Sequence, residues 1–177
     1  MRNRHAARRK TMEKRKIRRW VAAFALAWGI LGAAAAFPAA AKSKTCFPLR
    51  TDHWRVSDPY GWRQDPFTGK NAFHHGVDLA CAEGTEVICV QAGVVTGAGG
   101  GGSYGNCLRV QHPDGSETRY AHLQYLYVRA GEVVAAGQRL GTAGQTGRAT
   151  GAHLHFELRR GGEAEDPAAL LGSAHAP

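Results

Sequence analysis

From Phe47 to Leu171 the chain alternates apolar and polar positions over short runs, and glycines punctuate the runs. Residues 76–80, 86–91, 93–97, 107–112, 117–122 and 154–159 read as β-strands on that pattern. Asp114-Gly115, between two of them, is a hairpin signal. In the stretch 153–157, strand alternation puts His153, His155 and Glu157 on one face and sends Leu154 and Phe156 the other way, into a core. No segment of the domain sustains a helical period with caps; only 167–171 has the makings of a helical turn. Beyond Ala130, small turn residues (Gly131, Gly137, Gly141, Gly144) alternate with isolated apolar positions, which predicts tight turns in a compact sandwich or half-barrel. The run 97–105 reads as a flexible loop, and it lacks the Lys-Ser/Thr that completes a phosphate-binding loop. The pattern as a whole predicts an all-β fold.

A second pattern precedes the domain. Residues 20–41 are apolar and Ala-rich, and ten of the 23 Lys/Arg lie before them in residues 1–19, against one acidic residue, Glu13. Beyond residue 19 the two signs balance, so the net charge of +9 is confined to the front of an apolar segment. That arrangement belongs to an export signal or membrane anchor, and it argues against a nucleic-acid partner. The segment is long enough to span a bilayer, yet Pro38 interrupts it and Ala39-Ala40-Ala41 offers a signal peptidase site. Cleavage and retention both stay open. Met12 is an alternative start, and Arg18-Arg19 is a weak twin-arginine hint. Either way the domain is expected outside the cytoplasm, with the membrane engaged only through the N-terminal segment. The expected organisation is a signal or anchor over 1–41, a linker over 42–54, a domain over 55–171 and a tail over 172–177. The 177 residues allow one domain with a real core.

Cys46, Cys81, Cys89 and Cys107 fit an oxidising compartment and allow three pairings, with buried free thiols as the other reading. None of them has the close spacing of a zinc-binding cysteine pair.

The chemistry lies in the histidines. His74 and Asp78 are four apart, and share a face if the segment is extended. Gly76 between them lets the backbone bend, and His75 points the other way. A His–Asp pair alone is usually an ordinary hydrogen bond. With His153 and His155 added, the set reaches the ligand count of a catalytic zinc site, three protein ligands and one open position. One of His153 and His155 is then a ligand and the other stands beside the water; spacing does not say which. His122 is either a satisfied core histidine or a general base or oxyanion donor. Glu157 is either a hydrogen-bond partner of a ligand imidazole or an exposed carboxylate paired with Arg159 or Arg160.

Four motifs carry a resemblance: Tyr60-Gly61-Trp62-Arg63-x-Asp65-Pro66, His74-x-Gly76-Val77-Asp78, Tyr120-Ala121-His122-Leu123, and Gly144-x-Thr146-Gly147 through His153-Leu154-His155-Phe156-Glu157. Gly161 and Asp166-Pro167 complete it. Over about residues 55–171 the chain resembles the lysostaphin-type (LytM-like) zinc metalloendopeptidases that cut peptide stems or cross-bridges of peptidoglycan. The resemblance implies one zinc ion per domain, held by His74, Asp78 and His155, with His122 and His153 flanking a catalytic water. It implies a groove floored by an antiparallel sheet, in a fold related in style to barrel-sandwich hybrids, with Arg63 and Tyr120 as substrate-binding positions. The implied partner is a peptidoglycan peptide, with envelope proteins as possible further partners. The cysteines and the glycine-rich run 97–105 depart from the family pattern. Two other functions compete. A non-catalytic envelope scaffold of the same fold would be expected to lack ligands, and here all are present. A lipoyl-like carrier would need a lysine at a hairpin tip, and none occurs in 131–144.

Overall fold

Alternation along the chain becomes twelve strands in a computed structural model that describes residues 45–175. They are β1 (Arg55–Asp58), β2 (Gly61–Gln64), β3 (Asn71–His74), β4 (Val77–Ala80), β5 (Glu86–Ile88), β6 (Gly93–Gly100), β7 (Asn106–Gln111), β8 (Ser116–Leu126), β9 (Val133–Val134), β10 (Arg139–Ala143), β11 (His153–Arg160) and β12 (Glu163–Glu165). Among the described residues one α-helix, α1 (Ala168–His175), follows. Every pairing is antiparallel. The main sheet runs β1-β4-β11-β8-β7-β6-β9, with β10 bridging β8 and β5 and with β12 on β11; β2 and β3 form a separate two-stranded sheet. The expected all-β architecture is what the chain adopts.

One face of the main sheet supplies the core. Leu79, Leu154 and Phe156 from the centre of the sheet meet Val87, Val90, Leu108, Val110, Leu123 and Leu140, all fully buried. Each such side chain contributes roughly 1.5–3 kcal/mol by leaving water. β7 and β8 are joined at Asp114-Gly115 as expected. Gly115 takes a left-handed φ of 84°, and the Asp114 carboxylate accepts from the Ser116 amide and hydroxyl, the geometry of a three-residue hairpin loop.

Three expectations change. The glycine run is not a flexible loop: Gly97 to Gly100 continue β6 and pair with β7 from Arg109 to Asn106. A ladder needs only backbone groups, and the Arg109 guanidinium lies over Gly97, in the space that a Cβ would take. Only Gly102–Tyr104 forms a short 3-10 turn. The front of the domain begins before residue 55. Within the expected linker, Leu49 is buried, the Cys46 amide donates to the Val90 carbonyl, the Arg50 amide donates to the Glu86 carbonyl of β5, and the Ile88 amide of β5 donates back to the Pro48 carbonyl. Apolar Phe47 and Leu49 draw this stretch onto the core. Finally, the helical turn at 167–171 extends to His175, into the expected tail.

All four cysteines are free thiols, with Cys89 fully buried and the others half-buried. Burial pushes the thiols of Cys89 and Cys107 up to about 11, so they pack as small apolar groups. The signal or anchor expected over 1–41 lies outside the described residues. Among the described residues, no helix is long and apolar enough to cross a membrane.

Candidate metal centre

Register assembles the site. β4 and β11 pair so that Asp78 lies opposite His155, with Leu79 opposite Leu154. Opposed residues share a face, so Asp78 and His155 point together while the two leucines enter the core. His153, two residues earlier on β11, shares the face of His155. His74 arrives from the other sheet, at the end of β3. Gly76 makes that crossing possible: a Cβ on it would collide with the Phe156 carbonyl, so the need here is for close approach. His75 turns outward to solvent and rests against Phe73.

The three donor atoms converge. Asp78 Oδ1 lies 2.7 Å from His155 Nδ1 and 3.2 Å from His74 Nε2, and the two nitrogens are 3.0 Å apart. All three atoms fall within 4.8 Å of one another. The other nitrogen of each ring is committed. His74 Nδ1 donates to the Pro59 carbonyl at 2.8 Å, which leaves Nε2 bare. His155 Nε2 donates to Glu157 Oε1 at 3.2 Å. Without a cation, two inward imidazole nitrogens at 3.0 Å need a proton between them. His155 supplies it: burial disfavours its charge, but Asp78 and Glu157 outweigh that and raise its pKa to about 9. Burial likewise opposes ionisation of Asp78, and bonds from His155 and His74 overcome it, holding the carboxyl well below the usual range. Two nitrogens and one carboxylate oxygen around a common centre, with each imidazole oriented from behind, fit zinc.

Glu157 is the anchor behind His155, and it is fully buried rather than exposed. Besides the imidazole it accepts from the Tyr104 hydroxyl at 2.6 Å and from Arg159 at 2.8 Å. Burial would raise its pKa, but the bonds from His155, Tyr104 and Arg159 lower it to about 2. Glu157→Gln is expected to loosen the His155 ring and weaken zinc affinity about 10–100-fold. Competition with a chromogenic chelator measures this, and unchanged affinity would refute the anchoring role.

His122 and His153 stand beside the ligand group, their rings 4.7 Å apart, and His122 lies 5.9 Å from the His155 ring. His122 is the one described non-glycine residue with a left-handed φ, 60°. It sits at a break in the β7–β8 register, between Tyr120 and Leu123, and such a conformation costs about 1–2 kcal/mol. The bulge aims its ring at the groove, where Nδ1 donates to the Thr146 carbonyl at 2.8 Å. The loop carrying that carbonyl is tied back by Thr146 Oγ1, which donates to the Leu123 carbonyl and accepts the Asn106 amide. His153 Nδ1 donates to the Gly151 carbonyl at 2.8 Å, and its Nε2 lies 3.7 Å from Asp78 Oδ1. Each ring therefore keeps Nε2 as its free nitrogen.

Of the two expected substrate-binding positions, Arg63 lines the groove and is ion-paired to Asp58 at 2.7 Å. Tyr120 does not line it, which corrects that expectation. Its side chain is fully buried on the core face, and its hydroxyl accepts from the Val90 amide and the Thr118 hydroxyl. Sequence reasoning missed Tyr104, although it is the one large side chain in a run of glycines. It also assigned no role to Asp65 and Arg148, whose side chains pair across the groove lining.

Titration has a readable sign in the metal-free protein. Burial lowers the His122 pKa to about 4, below the 6.5 of an unfolded histidine. Its contribution to stability is therefore complete above pH 6.5 and lost as pH falls toward 4. His155, raised to about 9, contributes fully below 6.5 and loses that contribution as pH rises through 9. Thermal unfolding of the chelator-treated protein is expected to show maximum stability near pH 6.5. A profile still rising from pH 6.5 to 9 would contradict the assignment for His155.

Comparison with known proteins gives the same family three ways. The peptidase family M23 profile matches residues 72–167. The chain is 40% identical over 116 residues to the DD-carboxypeptidase/endopeptidase Mpg of Neisseria meningitidis serogroup B, covering 66% of this chain and 27% of that protein. It is 42% identical over 106 residues to the peptidoglycan DD-endopeptidase ShyA of Vibrio cholerae, covering 59% and 25%. It thus spans about a quarter of the length of these relatives. Among solved structures, a zinc-containing peptidase from Vibrio cholerae superposes with a TM-score of 0.65 at 30% identity, over 77% of this chain and 40% of that one. The catalytic domain of lysostaphin from Staphylococcus simulans gives 0.62 at 31% identity, over 67% and 92%.

Proposed function

The chain belongs to peptidase family M23, and from that premise we propose that it is a zinc metalloendopeptidase that hydrolyses peptide bonds in peptidoglycan stems or cross-bridges. The observation that carries the reading is the convergence of His74 Nε2, Asp78 Oδ1 and His155 Nδ1 within 4.8 Å, on the floor of a groove that also presents His122 and His153. The names of the relatives, a DD-carboxypeptidase/endopeptidase and a peptidoglycan DD-endopeptidase, support the substrate class. A non-catalytic scaffold finds no support, because all three proposed ligands and both flanking histidines are present and brought together.

His74, Asp78 and His155 would hold one zinc ion, which would supply the Lewis acidity that makes a water nucleophilic at neutral pH and polarises a scissile carbonyl. The chain's own residues supply proton handling. His122 is kept neutral by burial and kept in one tautomer by the Thr146 carbonyl, so its Nε2 can accept a proton. His153, fixed through Gly151, offers a second imidazole on the same face. One of them takes the proton of the attacking water and delivers it to the leaving amine. The other, protonated at Nε2, hydrogen-bonds the oxygen on which charge develops. Glu157 and Pro59 hold the two ligand rings in orientation. Arg63, on the groove wall, contacts the peptide. The domain works outside the cytoplasm, with residues 1–41 as its signal or anchor.

The test is mass spectrometry of purified peptidoglycan after incubation with the zinc-loaded protein, with and without a chelator. New peptide termini that disappear with chelator are expected, and their mass identifies the bond. Intact peptidoglycan, with zinc verified in the protein, would overturn the reading.

A further inference from the structure

Arg148 grips Asp65 with both terminal nitrogens, Nη2 to Oδ1 at 2.7 Å and Nη1 to Oδ2 at 2.8 Å. Its guanidinium also lies 4.2 Å from the centroid of the Phe67 ring. A two-bond fork between arginine and a carboxylate is strong and directional, and a stacked aromatic face adds to it. The bonds from Arg148, with those from Thr68 and Phe67, hold the Asp65 carboxyl far below the usual range.

The contact joins parts that the sheets leave separate. β2 and β3 have no ladder to the main sheet. The turn between them is built on Asp65, whose carboxylate accepts the amides of Phe67 and Thr68 and whose backbone bonds Lys70 and Gly69. The base of the hairpin is well anchored, through Arg63 to Asp58 and His74 to Pro59. The turn end is not. Among the described residues, Arg148 makes the only hydrogen bonds or ion pairs from 65–70 to anything beyond the hairpin. At its own end Arg148 is held firmly: its amide donates to the Ser103 carbonyl at 2.9 Å, and Gly147 packs so closely on Gly105 that a Cβ would collide with it. Asp65, Ser103 and Arg148 all line the groove that contains the metal centre.

We propose that Arg148 is a positioning residue for substrate. By clamping the hairpin turn to the 102–105 and 146–151 loops it sets the width of the groove, and so governs affinity for an extended peptide without touching the reacting atoms. The inference rests on the peptidase reading above. His74 stands at the anchored base of the hairpin, so the metal centre does not depend on the clamp.

Three variants of the full chain, loaded with zinc, test this: Arg148→Ala, Arg148→Lys and Asp65→Asn. The substrate is a soluble cross-linked muropeptide. Arg148→Ala is expected to raise KM about tenfold with kcat within about twofold and zinc content unchanged, as loss of a charge-assisted fork that acts only on binding requires. Lysine keeps the charge but neither the fork nor the stacked plane, so Arg148→Lys should behave like Arg148→Ala. Asp65→Asn keeps an acceptor for the turn amides and is expected to raise KM in the same direction, which separates the clamp from folding of the turn. Amide hydrogen exchange provides a readout independent of activity. In Arg148→Ala, residues 65–71 should exchange about tenfold faster or more while β8 and β11 stay as they were, as expected for a local opening. Wild-type KM in Arg148→Lys, zinc loss with a fall in kcat, or unchanged exchange in 65–71 would each overturn the proposal. If the wild-type chain cuts no peptide, the peptidase reading fails, and exchange in 65–71 alone decides whether the clamp exists.

Discussion

Asp78→Ala will empty the metal centre and abolish hydrolysis. Asp78 Oδ1 is the common neighbour of the site, at 2.7 Å from His155 Nδ1, 3.2 Å from His74 Nε2 and 3.7 Å from His153 Nε2. It is also the only anionic member of the proposed ligand set, so its removal leaves two neutral imidazoles facing a divalent cation. Binding energies of about 10–16 kcal/mol are typical of closed protein zinc sites. A third of that range, shared among three ligands, corresponds to a fall in affinity of about 10²–10⁴-fold. Inductively coupled plasma mass spectrometry after dialysis against a weak chelator should find the variant metal-free while the wild type retains zinc. Circular dichroism should find the sheet intact, because Asp78 packs on the groove face and the core face of β4 is Val77 and Leu79. Full occupancy with full activity in Asp78→Ala would show that the ligand set is wrong.

The complementary result is expected from His153→Ala, which should lose turnover and keep its metal. His153 shares the strand face of His155, yet its Nδ1 is spent on the Gly151 carbonyl and its Nε2 stands off from Asp78 at 3.7 Å. The compact group of donor atoms does not include it. Its removal takes away a positioned proton-transfer or oxyanion-binding group, worth about 10²–10⁴-fold in kcat. The measurements are initial rates on a soluble cross-linked muropeptide and zinc content of the same sample. Zinc loss in this variant would move His153 into the ligand set and refute the division of labour between the two strand histidines. Adding His122→Ala to it should cost much less than the product of the two single losses, because residues that act as a unit are not additive.

The division between what could be read along the chain and what could not follows the range of the interactions. Strand alternation is local, so the sequence alone determined that His153, His155 and Glu157 share a face and that Leu154 and Phe156 belong to the core. The six strands it predicted are all present, and the Asp114-Gly115 turn joins two of them. His74 over His75 was legible for the same reason, and the separated charge of residues 1–19 argued against a nucleic-acid reading. The motifs carried the family and, through it, the proposed zinc ligands, whose donor atoms lie within 4.8 Å of one another.

Tertiary structure alone decided the remainder. That Asp78 sits opposite His155 is a matter of register between strands 77 residues apart, and register is settled by which pairing buries the most apolar surface, not by either strand separately. The left-handed bulge at His122 has only a faint local signature, since histidine tolerates a positive φ better than most residues but rarely adopts one; in the fold its Nδ1 donates to the Thr146 carbonyl, 24 residues away. Tyr120 followed its strand face into the core, and a motif position says nothing of which face that is. The glycines of 97–100 read as flexible because side chains are what propensity weighs, whereas a β-ladder is made by backbone groups when a partner strand is present. The bonds of Tyr104 to Glu157 and of Arg148 to Asp65 span 53 and 83 residues. Contacts of that range exist only once the chain has closed on itself; one lies behind the His155 ring and the other ties together two sides of the groove lining.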